Sequence, residues 1–281
     1  MKWEGHGQSD NIEDRRGMGS KGPIAVGGGV VGLIVVVLGL VFGVDLGGGG
    51  GAGVRDPNAP PADPEAKEFS GSVLKFTEEV WTEEFRKNGQ TYAKPHMVLF
   101  DQAVDTQGCG SAPSAVGPFY CPADKTVYLD PTFFDELEAK LGGSKAKFSQ
   151  SYVIAHEVGH HVQNLLGYNA KLKRFERFEG KNAGIRLELQ ADYLAGVWAY
   201  HAQKKYNFIE AGDVEAALTT ARAIGDDRIQ KKSQRWVSPE SFTHGTAEQR
   251  FKYFREGMRT GDASKQALDR FFDERVKALN L

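Results

Sequence analysis

Residues 153–162 read VIAHEVGHHV, and no other run constrains the chain as tightly. An HExxH pattern on a helix sets His156 and His160 one turn apart on the same face, where both imidazoles can reach a single metal ion. Glu157 then leans over the adjoining coordination position, as a general base would. From this composition about 0.01 such matches arise by chance, so the pattern outweighs its plain alternative, two solvent-facing histidines on an ordinary helix. The flanking Val158, Gly159, His161 and Val162 bring no carboxylate that burial would leave unpaired. Two histidines do not complete a catalytic zinc site, which takes three protein ligands and an open position. The sequence has only Cys109 and Cys121 and no CxxC pair, so the third ligand must be histidine or a carboxylate.

Its identity selects the class. The metzincin pattern needs Gly and His where this chain has Gln163 and Leu166, which excludes it. Downstream, GIRLELQADYLAG carries Glu188 and Asp192 at i and i+4 on a second helix. That spacing can put Glu188 on the metal while Asp192 accepts a hydrogen bond from a ligating imidazole. Glu176 and Glu179 compete, but KLKRFERFEGKN alternates charge as a solvated helix face does. His201 lies beyond the small apolar residues of close helix contact and reads as surface.

The surrounding pattern predicts an α+β domain. Short β-rich runs at Met97–Phe100, Gly117–Cys121 and Thr126–Asp130 give a small sheet, and a packing helix covers Ser72–Lys87. Helices follow over Thr132–Leu141, Phe148–Leu166, Ile185 to about Tyr206, Asp213–Ile224, Thr246–Met258 and Ser264–Leu279, with Thr246 and Gln249 spaced as a capping box.

Ahead of this domain, Ile24–Val44 is a run of 21 uncharged residues, the length of a membrane-crossing helix. The sequence therefore predicts a cytoplasmic tail over 1–22, a transmembrane helix over 23–44, a Gly/Pro-rich linker over 45–66 and a globular domain over 67–281. Arg15, Arg16 and Lys21 precede the run and only Asp45 follows closely, so the expected topology is a cell-membrane protein with its N-terminus cytoplasmic and its domain extracytoplasmic. Gly28/Gly32 and Gly39/Gly43 have the spacing of a helix-pairing face for a homo-oligomer, though glycine this frequent also produces such spacings by composition. In that compartment Cys109 and Cys121 would form a disulfide, stabilising the domain by up to about 3 kcal/mol; the alternative is two buried thiols. A formal charge of −2 leaves no basic field for a phosphate backbone, so nucleic acid is not an expected partner.

MKWEGHGQSDNIEDRRG, GPFYCPADKTVYLDPTFF, HEVGHHVQ, LELQADYLAG and SFTHGTAEQR, with the apolar run, together resemble the bacterial putative neutral zinc metallopeptidase family. HExxH followed by ExxAD also resembles the wider gluzincins, including thermolysin and the membrane heat-shock metalloproteases. The resemblance implies a zincin-like fold, Zn2+ held by His156, His160 and Glu188, Glu157 as base and Asp192 behind the ligands. It implies a peptide or protein substrate, with an endopeptidase favoured over an exopeptidase. His244 sits in a Thr-His-Gly turn before the helix that Thr246 caps; it could donate to the oxyanion as a downstream His or Tyr does in gluzincins, or merely bond the turn or Glu248. The membrane heat-shock peptidases usually have Pro where this chain has Gly245. A substrate strand could add beside TVYLD or GPFYC. The competing reading is a zinc-binding scaffold or inactive protease-like protein acting by interaction.

Overall fold

Period-two alternation builds the sheet, and its two faces serve two different cores. The computed structural model describes residues 1–18, 63, 65–233 and 237–281. Its strands are β1 (Ile12–Asp14), β2 (His96–Leu99), β3 (Ala103–Asp105), β4 (Ser111–Pro113), β5 (Phe119–Cys121) and β6 (Thr126–Leu129). Four of them form a mixed sheet in the order β1-β2-β6-β5, parallel except for the antiparallel β5/β6 pair, while β3 and β4 form a separate hairpin. Met97, Leu99, Tyr120, Val127 and Leu129 face the main core. Val98, Phe119 and Tyr128 face a smaller one with Val104, Ala112 and Val116. The expected disulfide is present: Cys109 in the β3–β4 turn is bonded to Cys121 of β5, with Cα atoms 6.0 Å apart.

The rest of the domain is helical, as the α+β pattern requires. The helices are α1 (Glu65–Lys87), α2 (Phe133–Glu136, continuing as a π turn over Leu137–Leu141), α3 (Lys147–Leu165), α4 (Tyr168–Glu179), α5 (Gly184–Tyr206), α6 (Asp213–Ala223), α7 (Asp226–Ser233), α8 (Ala247–Thr260) and α9 (Lys265–Asp269). α1 starts before Ser72 because Ala66 and Phe69 are buried too. The helix expected over Ser264–Leu279 stops at Asp269, because the buried Arg186 draws the carbonyls of Phe271 and Val276 inward. At α8 the capping box is realised: the Thr246 hydroxyl accepts from Gln249 N at 3.1 Å and Gln249 Oε1 accepts from Thr246 N at 2.9 Å.

α5 runs through the middle, buried from Ile185 to Ala199. It touches α8 backbone to backbone: a Cβ on Gly196 would lie 2.2 Å from Phe254 O, and one on Gly257 2.1 Å from Tyr193 O. On its other side Gly159 of α3 packs against Ala191, where a Cβ would lie 3.1 Å from the Ala191 carbonyl oxygen. These contacts set Glu188 and Asp192 opposite the histidines.

The N-terminal expectations are corrected. Among the described residues no helix is long and apolar enough to cross a membrane, so the single-pass anchor and the cell-membrane topology with a cytoplasmic N-terminus are not supported. The run over 23–44, its glycine spacings and most of the linker lie outside the described residues. The physical reason is on either side of that run. Residues 1–18 are not a loose tail: Ile12, Glu13 and Asp14 pair in parallel with Met97, Val98 and Leu99. Trp3 packs edge-on against Phe69, and Ser9 and Asn11 both donate to Glu78 of α1 at 2.7 Å. Arg16 Nη1 donates to the Asp63 carbonyl at 3.0 Å, so the two sides of that run lie together. A single crossing would separate those two points by the roughly 30 Å of a hydrocarbon core.

Glu78 is 2 % exposed, so removing its partners would leave a buried carboxylate short of donors. A chain starting at residue 63 should therefore melt at least about 5 °C below the full chain. An unchanged calorimetric midpoint would show that residues 1–18 add nothing to the domain.

Candidate metal centre

Helical spacing on α3 brings His156 and His160 together, and the close approach of α5 brings Glu188 to both. The imidazole rings lie 4.8 Å apart, nearly perpendicular. Glu188 Oε2 is 3.2 Å from His156 Nε2, and Oε1 is 3.5 Å from His160 Nε2. Among the described residues this is the group of three whose donor atoms all fall within 4.8 Å of one another in a geometry that fits a metal ion.

The outward nitrogens decide how the inward ones are used. His156 Nδ1 bonds Asp192 Oδ1 at 2.9 Å and His160 Nδ1 bonds Gln163 Oε1 at 2.9 Å. Gln163 Nε2 donates to Leu187 O at 2.7 Å, which turns its oxygen toward the histidine. With both Nδ1 positions donating, both Nε2 lone pairs point at the Glu188 carboxylate, and the space they share suits a divalent cation. Two imidazoles and one carboxylate are a donor set for zinc with an open coordination position.

The carboxylates around the two histidines favour positive charge between them. Burial opposes a charge on His156, but Asp192 and Glu188 outweigh it and raise its pKa to about 9. Burial likewise opposes ionisation of Glu188, yet His160 and His156 hold it well below the usual carboxylate range. Glu157 behaves differently: burial dominates and lifts it to about 7, the range in which a carboxylate can take up and return a proton at neutral pH.

Glu157 shares its cleft with His160 and Glu188, and the cleft is walled by Pro118, Phe133, Val153, Ile224 and Ile229. His244 lines it too, close enough for its charge to lower the pKa of both Glu157 and Glu188. The turn does hold this imidazole, but not through Glu248. Asp226 Oδ1 lies 3.0 Å from His244 Nδ1, and Asp226 Oδ2 accepts the backbone N–H groups of Thr243, His244 and Gly245 at 2.7, 2.7 and 3.2 Å. His244 Nε2 is thereby left for the cleft. Burial works against a charge on His244, and Asp226 overcomes it, so its pKa is raised.

The rival carboxylates lie elsewhere. Glu176 is exposed, and Glu179 takes both Nε and Nη2 of the buried Arg186 at 2.8 Å, a structural pairing that charge alternation alone did not distinguish from a solvated face. His201 is partly covered and bonds Gly261 O at 2.8 Å. Sequence reasoning missed Gln163, Asp226 and Arg250. Gln163 stands three residues after His160, a spacing that could have suggested its contact. Arg250 ends the SFTHGTAEQR segment, yet nothing local marks it as buried behind His156. The bonds of His161 were not foreseen either: its Nε2 donates to Ala93 O at 2.6 Å, so Nδ1 accepts from Tyr120 Oη at 2.9 Å, pinning α3 to β5.

Comparison with known proteins agrees with this geometry. A family model described as putative neutral zinc metallopeptidase matches residues 1–268. The chain is 44 % identical over 283 aligned positions to the uncharacterized protein YpfJ of Escherichia coli K12, covering 94 % of this chain and 97 % of the relative. It is 47 % identical over 180 positions, 61 % of either chain, to the uncharacterized protein Rv2575 of Mycobacterium tuberculosis. No solved structure matches the chain at a significant level.

Glu188→Ala should weaken zinc retention by more than the 10–100-fold that a lost outer partner costs, while Glu176→Ala and Glu179→Ala keep zinc. Equal metal content in all three, measured by metal analysis after dialysis, would remove Glu188 from the ligand set.

Proposed function

Since the chain belongs to the putative neutral zinc metallopeptidase family, we propose that it is an endopeptidase in which His156, His160 and Glu188 hold zinc and Glu157 is the general base. The observation that carries this reading is the convergence of three metal donors on the wall of a cleft that also holds a carboxylate raised to about 7. A bound zinc ion supplies Lewis acidity to a carbonyl and a water brought into that cleft. Glu157 takes the proton from the attacking water and returns it to the leaving amine. Asp192 and Gln163 fix the ring orientation and tautomer of the two histidines. His244, steadied by Asp226, donates from Nε2 to the oxygen on which negative charge develops.

The sheet supports a peptide as the occupant. TVYLD contains β6, which lies between β2 and β5, so it cannot receive another strand. GPFYC contains β5, which is an edge strand, and Pro118 just before it lines the cleft. A substrate added along β5 would have its main chain held independently of its sequence. Internal peptide bonds are favoured because the guanidinium lining the cleft, Arg250, is engaged by Asp192. It is therefore not left to bind a chain-terminal carboxylate.

Glu157→Gln should keep zinc while kcat falls by 10²–10⁴, the usual contribution of a positioned base. Near-normal turnover of casein or a peptide library by that variant would overturn the role. His244→Ala should keep both fold and zinc, with kcat lower by 10²–10³ and KM little changed. Unchanged kcat would confine His244 to the turn, and lost zinc would make it a ligand.

A further inference from the structure

Arg250 stands directly behind the ligand set and is 3 % exposed. Its Nε donates to Asp192 Oδ2 at 2.9 Å and its Nη2 to Asp192 Oδ1 at 3.0 Å, the paired geometry that only a guanidinium supplies. Nη2 also lies 3.4 Å from both His156 Nδ1 and Tyr152 Oη, and Nη1 lies 3.4 Å from the Ile224 carbonyl oxygen. Asp192 Oδ1 therefore receives Tyr152 at 2.6 Å, His156 at 2.9 Å and Arg250 at once.

The charges explain the arrangement. Glu188 and Asp192 are buried carboxylates one turn apart on the same face of α5. A divalent ion held by Glu188 would attract Asp192 as well, and an unpaired Asp192 would pass its charge to the ion through the His156 ring. Arg250 cancels that charge where it arises. Its bond to Ile224 reaches the residue two before Asp226, the carboxylate that holds His244.

We infer that Arg250 is a positioning residue that sets the charge balance of the metal centre, keeping Asp192 as the hydrogen-bond partner of His156 and out of the ion's ligand set, while fixing the segment that presents His244. The inference rests on His156, His160 and Glu188 as ligands. A residue that merely packs α8 against α5 would, on removal, loosen everything together. A charge-balancing residue gives opposite signs at its two ends.

The test uses the full chain loaded with zinc, and reads zinc affinity by chelator competition alongside kcat and KM. Arg250→Met should hold zinc at least as tightly as the parent, because an uncompensated Asp192 favours the cation, while kcat falls 10–100-fold with little change in KM. Asp192→Asn should release zinc 10–100-fold more readily, because Arg250 is then an unpaired positive charge beside the ion. The double variant should hold zinc more tightly than the sum of the two single changes gives, since the unpaired cation that weakens Asp192→Asn is then absent. Arg250→Lys, which restores the charge without the fork, should match the parent in zinc affinity and recover only part of kcat.

Zinc released more readily from Arg250→Met than from the parent, or a double variant equal to the sum of its single changes, would overturn the inference. If Arg250→Met does not fold, Arg250→Gln, which keeps hydrogen-bonding groups without the charge, decides the same question with and without Asp192→Asn by the same sum. A parent that binds no zinc would overturn the ligand assignment and this inference together. A parent that binds zinc but cleaves no peptide would overturn only the proposed activity, because the zinc measurements still decide the role of Arg250.

Discussion

The backbone contact of α5 with α3 and α8 is the constraint on which the rest depends. Asp192 has a single methylene and Glu188 has two, so their carboxylates reach the imidazoles only if the helix axes are unusually near. Gly159 permits that approach between α3 and α5, and Gly196 and Gly257 permit a closer one between α5 and α8, where a Cβ on either would fall within 2.2 Å of a carbonyl oxygen across the interface. A side chain there would push the helices apart by more than the few tenths of an ångström that separate a 2.9 Å hydrogen bond from a broken one.

The same approach brings Arg250 of α8 to Asp192, so one packing decision places the ligands, their hydrogen-bond partners and the compensating cation. What results is a division of labour among buried carboxylates. Glu188, Asp192 and Asp226 each have a cationic or histidine partner, and despite burial each stays below the ordinary carboxylate range. Glu157 is governed by burial instead and moves the other way. Neighbouring carboxyl groups whose environments drive them apart are the arrangement that lets one hold a metal while another exchanges protons near neutrality. The assignment of roles thus comes from which carboxylate faces a cation and which faces the apolar wall of the cleft.

Much of this was legible in the sequence, for identifiable reasons. HExxH and ExxAD lie on helices, where a spacing of four fixes a shared face, so the pairing of His156 with His160 and of Glu188 with Asp192 could be read directly. Thr246 and Gln249 spelled a capping box, and the two cysteines had only each other. Asp226 and Arg250 could not be found this way, because each meets its partner across a distance in sequence that no local pattern encodes. α7 is a polar segment, DDRIQKKS, whose start is set by an aspartate engaged with a distant histidine rather than by apolar periodicity. The N-terminal segment misled for a different reason. An uncharged run of membrane length invites the view that its flanks lie in separate compartments, and Ile12–Asp14 is too short and too polar to announce itself as a strand.

That strand also has a temporal consequence. β1 must pair with β2 at a register in which Ile12 meets Met97, so it leaves the ribosome long before its neighbour exists. At roughly 5–20 residues per second the interval is about 4–17 s, far longer than hydrophobic collapse takes. β1 therefore stays unpaired at least until β2 has been made. Because β1 occupies an outer position in the sheet, late insertion costs no rearrangement of strands already paired. Until it arrives, β2 presents an open edge to whatever lies nearby.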